Sequence, residues 1–115
     1  MAVSAEYREF VLEQLGRVAP AITSRAMFGG VGVYSSGFFF ALMAGDTVYL
    51  KTDDVNRPDF EAAGMGPFYP FGGDQPMQYY ELSADLLEDA DALRPWIQNA
   101  IDVARRKRKG SSKKK

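Results

Sequence analysis

The stretch Arg25-Ala26-Met27-Phe28-Gly29-Gly30-Val31-Gly32-Val33-Tyr34, continued by Phe38-Phe39-Phe40-Ala41-Leu42 and Val48-Tyr49-Leu50-Lys51, decides the fold of this 115-residue chain. Its β-branched and aromatic residues favour extended backbone. Two dipeptides interrupt it, Ser36-Gly37 and Gly45-Asp46. Both are of the kind that turns a hairpin in two residues. Links so short join only antiparallel neighbours, because a parallel pair needs a crossover of about a dozen residues or more. The reading is four consecutive strands over 22–29, 31–35, 38–44 and 47–52, folded as a meander.

Working outward, Ser4 is an N-cap for a helix whose apolar positions are Tyr7, Phe10, Val11, Leu15 and Val18, closed by Pro20. After the meander, Asn56 caps a short helix with Pro58 in its first turn and Gly64 at its end. Residues 67–71 read as a strand that Pro67 and Pro70 confine to an edge, 72–76 as a loop, and 77–82 as an alternating strand. Ser83 caps one turn of helix. Leu93, Trp96, Ile97, Ala100, Ile101 and Ala104 then mark the most regular amphipathic helix. The expected fold is α+β with two layers, an antiparallel meander sheet and helices packed mainly on one face. One domain fills 1–104. Residues 105–115, with Gly110-Ser111-Ser112 and no apolar side chain, are expected to be a disordered basic tail.

Strict alternation through the two turns divides the strands between faces. Val31, Val33, Phe38, Phe40, Leu42 and Tyr49 fall on one, and Tyr34, Phe39, Met43, Val48 and Leu50, with Gly30 and Gly32, on the other. Both faces are apolar, and a two-layer domain covers one. Either helices from both ends of the chain cover parts of both faces, or the uncovered face meets a protein partner or a second copy of the chain. Arg25, Tyr34, Phe39, Met43 and Tyr49 are the candidate contact residues.

Histidine and cysteine are both absent. Thiol nucleophiles, imidazole bases and disulfides are thereby excluded, as are the zinc, iron–sulfur and haem sites that need those ligands. No cofactor, metal site or catalytic residue is expected. Gly29-Gly30-Val31-Gly32 lacks the Lys and the following helix of a phosphate loop. A bulged or closely packed strand pair is the better account of it. Asp53 and Asp54, with Asp59 nearby, support an alternative reading as a carboxylate-based enzyme or small-ligand binder. Ion pairing with Lys51 and Arg57 is the plainer role for them. Tyr79-Tyr80 and Phe68-Tyr69-Pro70-Phe71 read as packing aromatics.

The formal charge of −1 conceals an asymmetry. Arg105, Arg106, Lys107, Arg108, Lys109, Lys113, Lys114 and Lys115 are eight of the 14 bases, which leaves six against all 15 acids in residues 1–104. The tail reads either as a solubilising terminus that extends the last helix or as a segment for weak, nonspecific contact with nucleic-acid phosphates, and an RNA-associated accessory role is a further alternative. No apolar run approaches the roughly 18 residues of a membrane span, and no leader pattern opens the chain. A cytoplasmic location is expected, without membrane contact.

Residues 25–34, Phe40-Ala41-Leu42, Tyr49-Leu50-Lys51-Thr52-Asp53-Asp54, residues 56–65, Pro67-Phe68 and Tyr79-Tyr80-Glu81-Leu82 together resemble the TfoX/Sxy amino-terminal domain family over about residues 5–104. The resemblance implies a two-layer, secretion-chaperone-like fold and a regulatory, non-enzymatic role. Founding members regulate DNA uptake competence with the cAMP receptor protein at promoters. It implies a protein partner drawn from the transcription machinery or a DNA-bound regulator. The second, helical domain of those regulators has no counterpart in the 115 residues. Deleting residues 105–115 is expected to leave the fold intact and to abolish nucleic-acid affinity in a gel-shift assay. Binding that persists in the shortened chain would assign the contact elsewhere.

Overall fold

The computed structural model describes residues 3–27, 30–67 and 78–113. Five strands form one antiparallel sheet in sequence order: β1 (Ile22–Met27), β2 (Gly30–Ser35), β3 (Phe38–Ala44), β4 (Thr47–Lys51) and β5 (Tyr79–Leu82). Among the described residues the helices are α1 (Ala5–Gly16), α2 (Arg57–Ala62), α3 (Ala84–Leu87) and α4 (Ala90–Lys113). The α+β class and the meander read from the sequence are those of the structure. The predicted strand and loop at 68–76 lie outside the described residues; Pro67 makes an isolated bridge to Tyr80.

The hairpins follow from backbone that only certain residues tolerate. Ser36 and Gly37 both have positive φ, 50° and 84°, the type I′ pattern that matches strand twist. At the next hairpin Gly45 alone is positive, φ 59°, as type II′ requires.

The β1–β2 register runs unshifted through Arg25↔Gly32 and Met27↔Gly30, so no bulge lies at the glycines. The bulge is in β3. Val33 pairs with Ala41 but Tyr34 with Phe39, which leaves Phe40 without a partner on β2. A bulge residue shares a face with its neighbour instead of alternating. Phe40 and Ala41 are both fully buried, whereas Phe39 points the other way. Strict alternation fails at this point. The core face carries Val31, Val33, Phe40, Ala41, Met43, Val48 and Leu50, and Leu42, Tyr49, Tyr34 and Phe39 share the opposite face. Met43, expected at the contact surface, is fully buried between Val31 and Val48.

The helices cover that core face. On α1 the Ser4 hydroxyl accepts the Tyr7 N–H at 3.2 Å, and Val11 and Leu15 are fully buried. Phe10, expected inside, is 38% exposed. The helix ends at Gly16, before Pro20. Gln14 donates to the Leu87 carbonyl at 2.9 Å, which ties α1 to α3. Asp89, which the sequence reading passed over, starts α4 by accepting the Ala92 N–H at 3.3 Å. Leu93, Ile97, Ala100, Ile101 and Ala104 then form its buried stripe.

Asn56 does not cap α2. Its buried side chain accepts the Asp53 N–H at 2.9 Å and donates to the Lys51 carbonyl at 3.1 Å, so it locks the exit from β4. At the other end Gly64, φ 80°, terminates α2. Its N–H bonds the Glu61 carbonyl and the Met65 N–H bonds the Phe60 carbonyl, a Schellman closure. Phe60 is buried and meets Trp96 of α4 edge-on, centroids 4.9 Å apart.

α4 does not stop where the basic stretch begins; its helical backbone continues to Lys113. Two of the basic residues grip the body. Arg106 donates from Nε and Nη2 to the two Asp53 carboxylate oxygens, each at 3.0 Å, and Arg105 lies 5.2 Å over the Phe38 ring. A truncation after Ala104 therefore removes contacts that Arg105 and Arg106 make with the body. Truncation after Ala104 is predicted to lower stability by about 1 kcal/mol relative to truncation after Lys107, by urea unfolding. The substitution Ser36→Asn, which suits the positive φ better, is predicted to raise stability by about 0.5 kcal/mol.

Candidate functional site

The face turned away from the helices presents one side chain from each strand along a single row. Arg25 of β1 stands with its guanidinium carbon 6.0 Å from the centre of the Tyr34 ring on β2. Tyr34 stacks on Phe39 of β3, centroids 5.2 Å apart and planes inclined by 29°. The Lys51 ammonium of β4 lies 5.0 Å from the Phe39 centroid and 5.9 Å from that of Tyr79 on β5. Phe39 and Tyr79 are 5.9 Å apart. Two cations and three rings thus form a ladder that crosses the whole sheet, each cation drawn to the electron-rich face of a ring.

The bulge builds this row. Phe39 reaches Tyr34 and Lys51 because Phe40 absorbs the extra residue and turns inward. Gly32, opposite Arg25, puts no side chain beside the guanidinium. Of the five candidate contact residues, Arg25, Tyr34 and Phe39 lie in the ladder, Tyr49 lies beside it on the same face, and Met43 belongs to the core. Lys51 and Tyr79 complete the ladder. The alternation Tyr49-x-Lys51 signalled the lysine's place, but its rings are set by the β3 bulge and by the β4–β5 register, Lys51↔Tyr79.

Charge is distributed unevenly. Arg17 pairs with Glu13, Arg57 with Asp54, Arg94 with Asp91 and Arg106 with Asp53. Among the described residues no carboxylate pairs with Arg25, Lys51 or Lys107. Burial, and the nearby Lys107 charge, hold the Lys51 ammonium below its usual pKa. On the upper part of the same face stand Leu42, Tyr49 and the exposed Glu81. Burial, then Glu81, raises the Tyr49 pKa.

The aspartates of the alternative reading are already engaged. Burial raises the Asp53 pKa, but the Val55 N–H, Arg106 and the Asn56 backbone outweigh it and leave a net depression. Asp54 accepts from Arg57 at 2.8 Å. Among the described residues no cluster of three or more Asp or Glu is arranged to hold a metal ion. A shallow depression of about 370 Å³ between α2 and α4 is lined by Asp59, Ala62, Ala63, Pro95, Trp96 and Asn99. It contains a single carboxylate, whereas acid–base work of the kind expected needs a pair. No helix among the described residues is long and apolar enough to cross a membrane.

Burial, with the neighbouring Tyr34 as a smaller cause, pushes Tyr79 up from 10.0 to about 12. A raised acid pKa adds stability while the hydroxyl is neutral in both states. That contribution is lost as pH climbs from 10.0 towards 12. Tyr79→Phe is predicted to remove the highest-pH phase of a near-ultraviolet absorbance titration and to flatten the alkaline fall in stability.

The ladder lies wholly inside the part of the chain that is similar to known sequences. The family model described as the TfoX N-terminal domain matches residues 13–104, from within α1 through the buried stripe of α4. No curated protein matches the chain. With most of its length matched, the chain belongs to the TfoX N-terminal domain family.

Proposed function

We propose that the protein is a non-enzymatic regulatory domain. It works in the cytoplasm by binding a protein partner of the transcription apparatus through the outer face of its sheet. The observation that carries this reading is the cation–aromatic ladder on the face turned away from the helices, in which Arg25 is exposed, Tyr34, Phe39 and Lys51 are partly exposed and Tyr79 is buried. Tyr and Arg are the side chains that most often anchor protein interfaces, and they meet here on a rigid sheet. Membership of the family supports the regulatory part. The carboxylate alternative has less support, since Asp53 and Asp54 are held by Arg106 and Arg57. Nonspecific attraction to nucleic acid falls to the bases from Lys107 onward, because Arg105 and Arg106 are engaged by the body.

Transcript profiling of cells lacking the protein, complemented with wild type, Phe39→Glu or Arg25→Glu, tests this. Wild type is expected to restore the profile and both variants to fail at normal protein levels. Full restoration by both variants, or no transcript change on deletion, would contradict the reading.

A further inference from the structure

We infer that the ladder Arg25–Tyr34–Phe39–Lys51–Tyr79 is a docking site for an acidic segment of a partner protein, with Arg25 and Lys51 receiving its carboxylates. The inference rests on the outer face being a contact surface and names the chemistry of what it contacts.

Three observations select that chemistry. The first is charge complementarity. Residues 1–104 contain 15 acids and only six bases, and Arg17, Arg57, Arg94 and Arg106 each pair with a carboxylate. Arg25 and Lys51 do not; nor does Arg8, whose guanidinium donates to the Ser24 hydroxyl at 2.9 Å. Lys51 is partly buried and has Lys107 for a neighbour, so its charge is favoured by an anion that arrives from outside.

The second is the orientation of the rings. Strand order places Arg25 and Phe39 on opposite sides of Tyr34, and Tyr34 and Lys51 on opposite sides of Phe39. With both faces occupied, the two rings offer their edges to solvent. Ring edges carry the positive end of the quadrupole, so rings and cations present the same sign. A nucleobase would need a ring face to stack on, which disfavours single-stranded nucleic acid.

The third is dimension. Arg25 and Lys51 lie on β1 and β4, three strand spacings apart, or about 14 Å. An extended segment rises about 3.4 Å per residue, so acids about four positions apart reach both. A second copy of this chain is a poorer occupant. Its acidic surface on α1, with Glu6, Glu9 and Glu13 around exposed Phe10, would dock head to tail and leave both ends open to further addition.

The test uses the full chain and fluorescence anisotropy. The probe is a labelled peptide of about twelve residues alternating Glu and Ser, in which Glu recurs at the required spacing. A Gln–Ser peptide and an oligothymidylate of equal charge are the comparisons. The Glu peptide is expected to bind, to weaken as salt is raised, and to exceed the Gln peptide by about tenfold or more. Arg25→Gln and Lys51→Gln are each expected to weaken it about three- to tenfold. Arg94→Gln, on the far layer, should leave it unchanged, and circular dichroism confirms folding of all three variants. Absence of binding by the Glu peptide, equal binding by the Gln peptide, or indifference to both substitutions would overturn the inference. So would tighter, Arg25- and Lys51-dependent binding of the oligothymidylate, which would assign the face to nucleic acid. If the acidic probe fails while Phe39→Glu still abolishes transcriptional complementation, the contact face stands and only its acidic partner is removed.

Discussion

Phe40 faces no residue of β2, and the two sides of the sheet depend on that unpaired position. The register after it places Phe38 and Phe40 toward the helices and Phe39 toward solvent. Inside, Phe40 is fully buried in the cluster that holds Val33, Leu50, Ile97 and Ile101. Outside, Phe39 becomes the middle rung between Tyr34 and Lys51. The packing inside and the ladder outside are consequences of the same local irregularity.

Much of the fold was legible in the residues, and the exceptions share a physical cause. The strands at 38–44 and 47–51, the turns at Ser36-Gly37 and Gly45-Asp46, and the caps at Ser4 and Ser83 depend on near neighbours. Each was readable for that reason. Assignment of faces was not, because alternation assumes an unbroken ladder and three successive phenylalanines give no sign of which is the extra one. Asn56 misled in the same way. An asparagine before Arg57-Pro58 looks like a cap, but its side chain finds better partners in the backbone of Lys51 and Asp53. Of the candidate contact residues, Arg25, Tyr34 and Phe39 fall in the ladder on the outer face, while Met43 was lost with the face assignment. Lys51 and Tyr79 needed the cross-strand register, which joins positions far apart in sequence.

Electrostatics divides the molecule along a similar line. On the helical layer Arg17, Arg57, Arg94 and Arg106 each pair with a carboxylate, whereas Arg8 of α1 donates to the Ser24 hydroxyl. The Arg106–Asp53 bridge fastens the far half of α4 to the exit from β4, and the basic residues beyond it begin from a fixed point. On the sheet's outer surface Arg25 and Lys51 lie against rings. Cation–ring contacts at partly exposed sites are worth about 0.5–1 kcal/mol each. That is enough to hold Arg25 and Lys51 in place against the rings.

The placement of the bulge is tested most directly by comparing the unfolding free energies of Phe39→Ala and Phe40→Ala. With Phe40 as the extra, inward residue, its loss should cost about 3–5 kcal/mol. Loss of Phe39, which forfeits only surface ring contacts, should cost about 1 kcal/mol. A regular ladder through β3 would put Phe39 inside with Ala41 and Met43 and leave Phe40 beside Leu42, and the two costs would then be reversed.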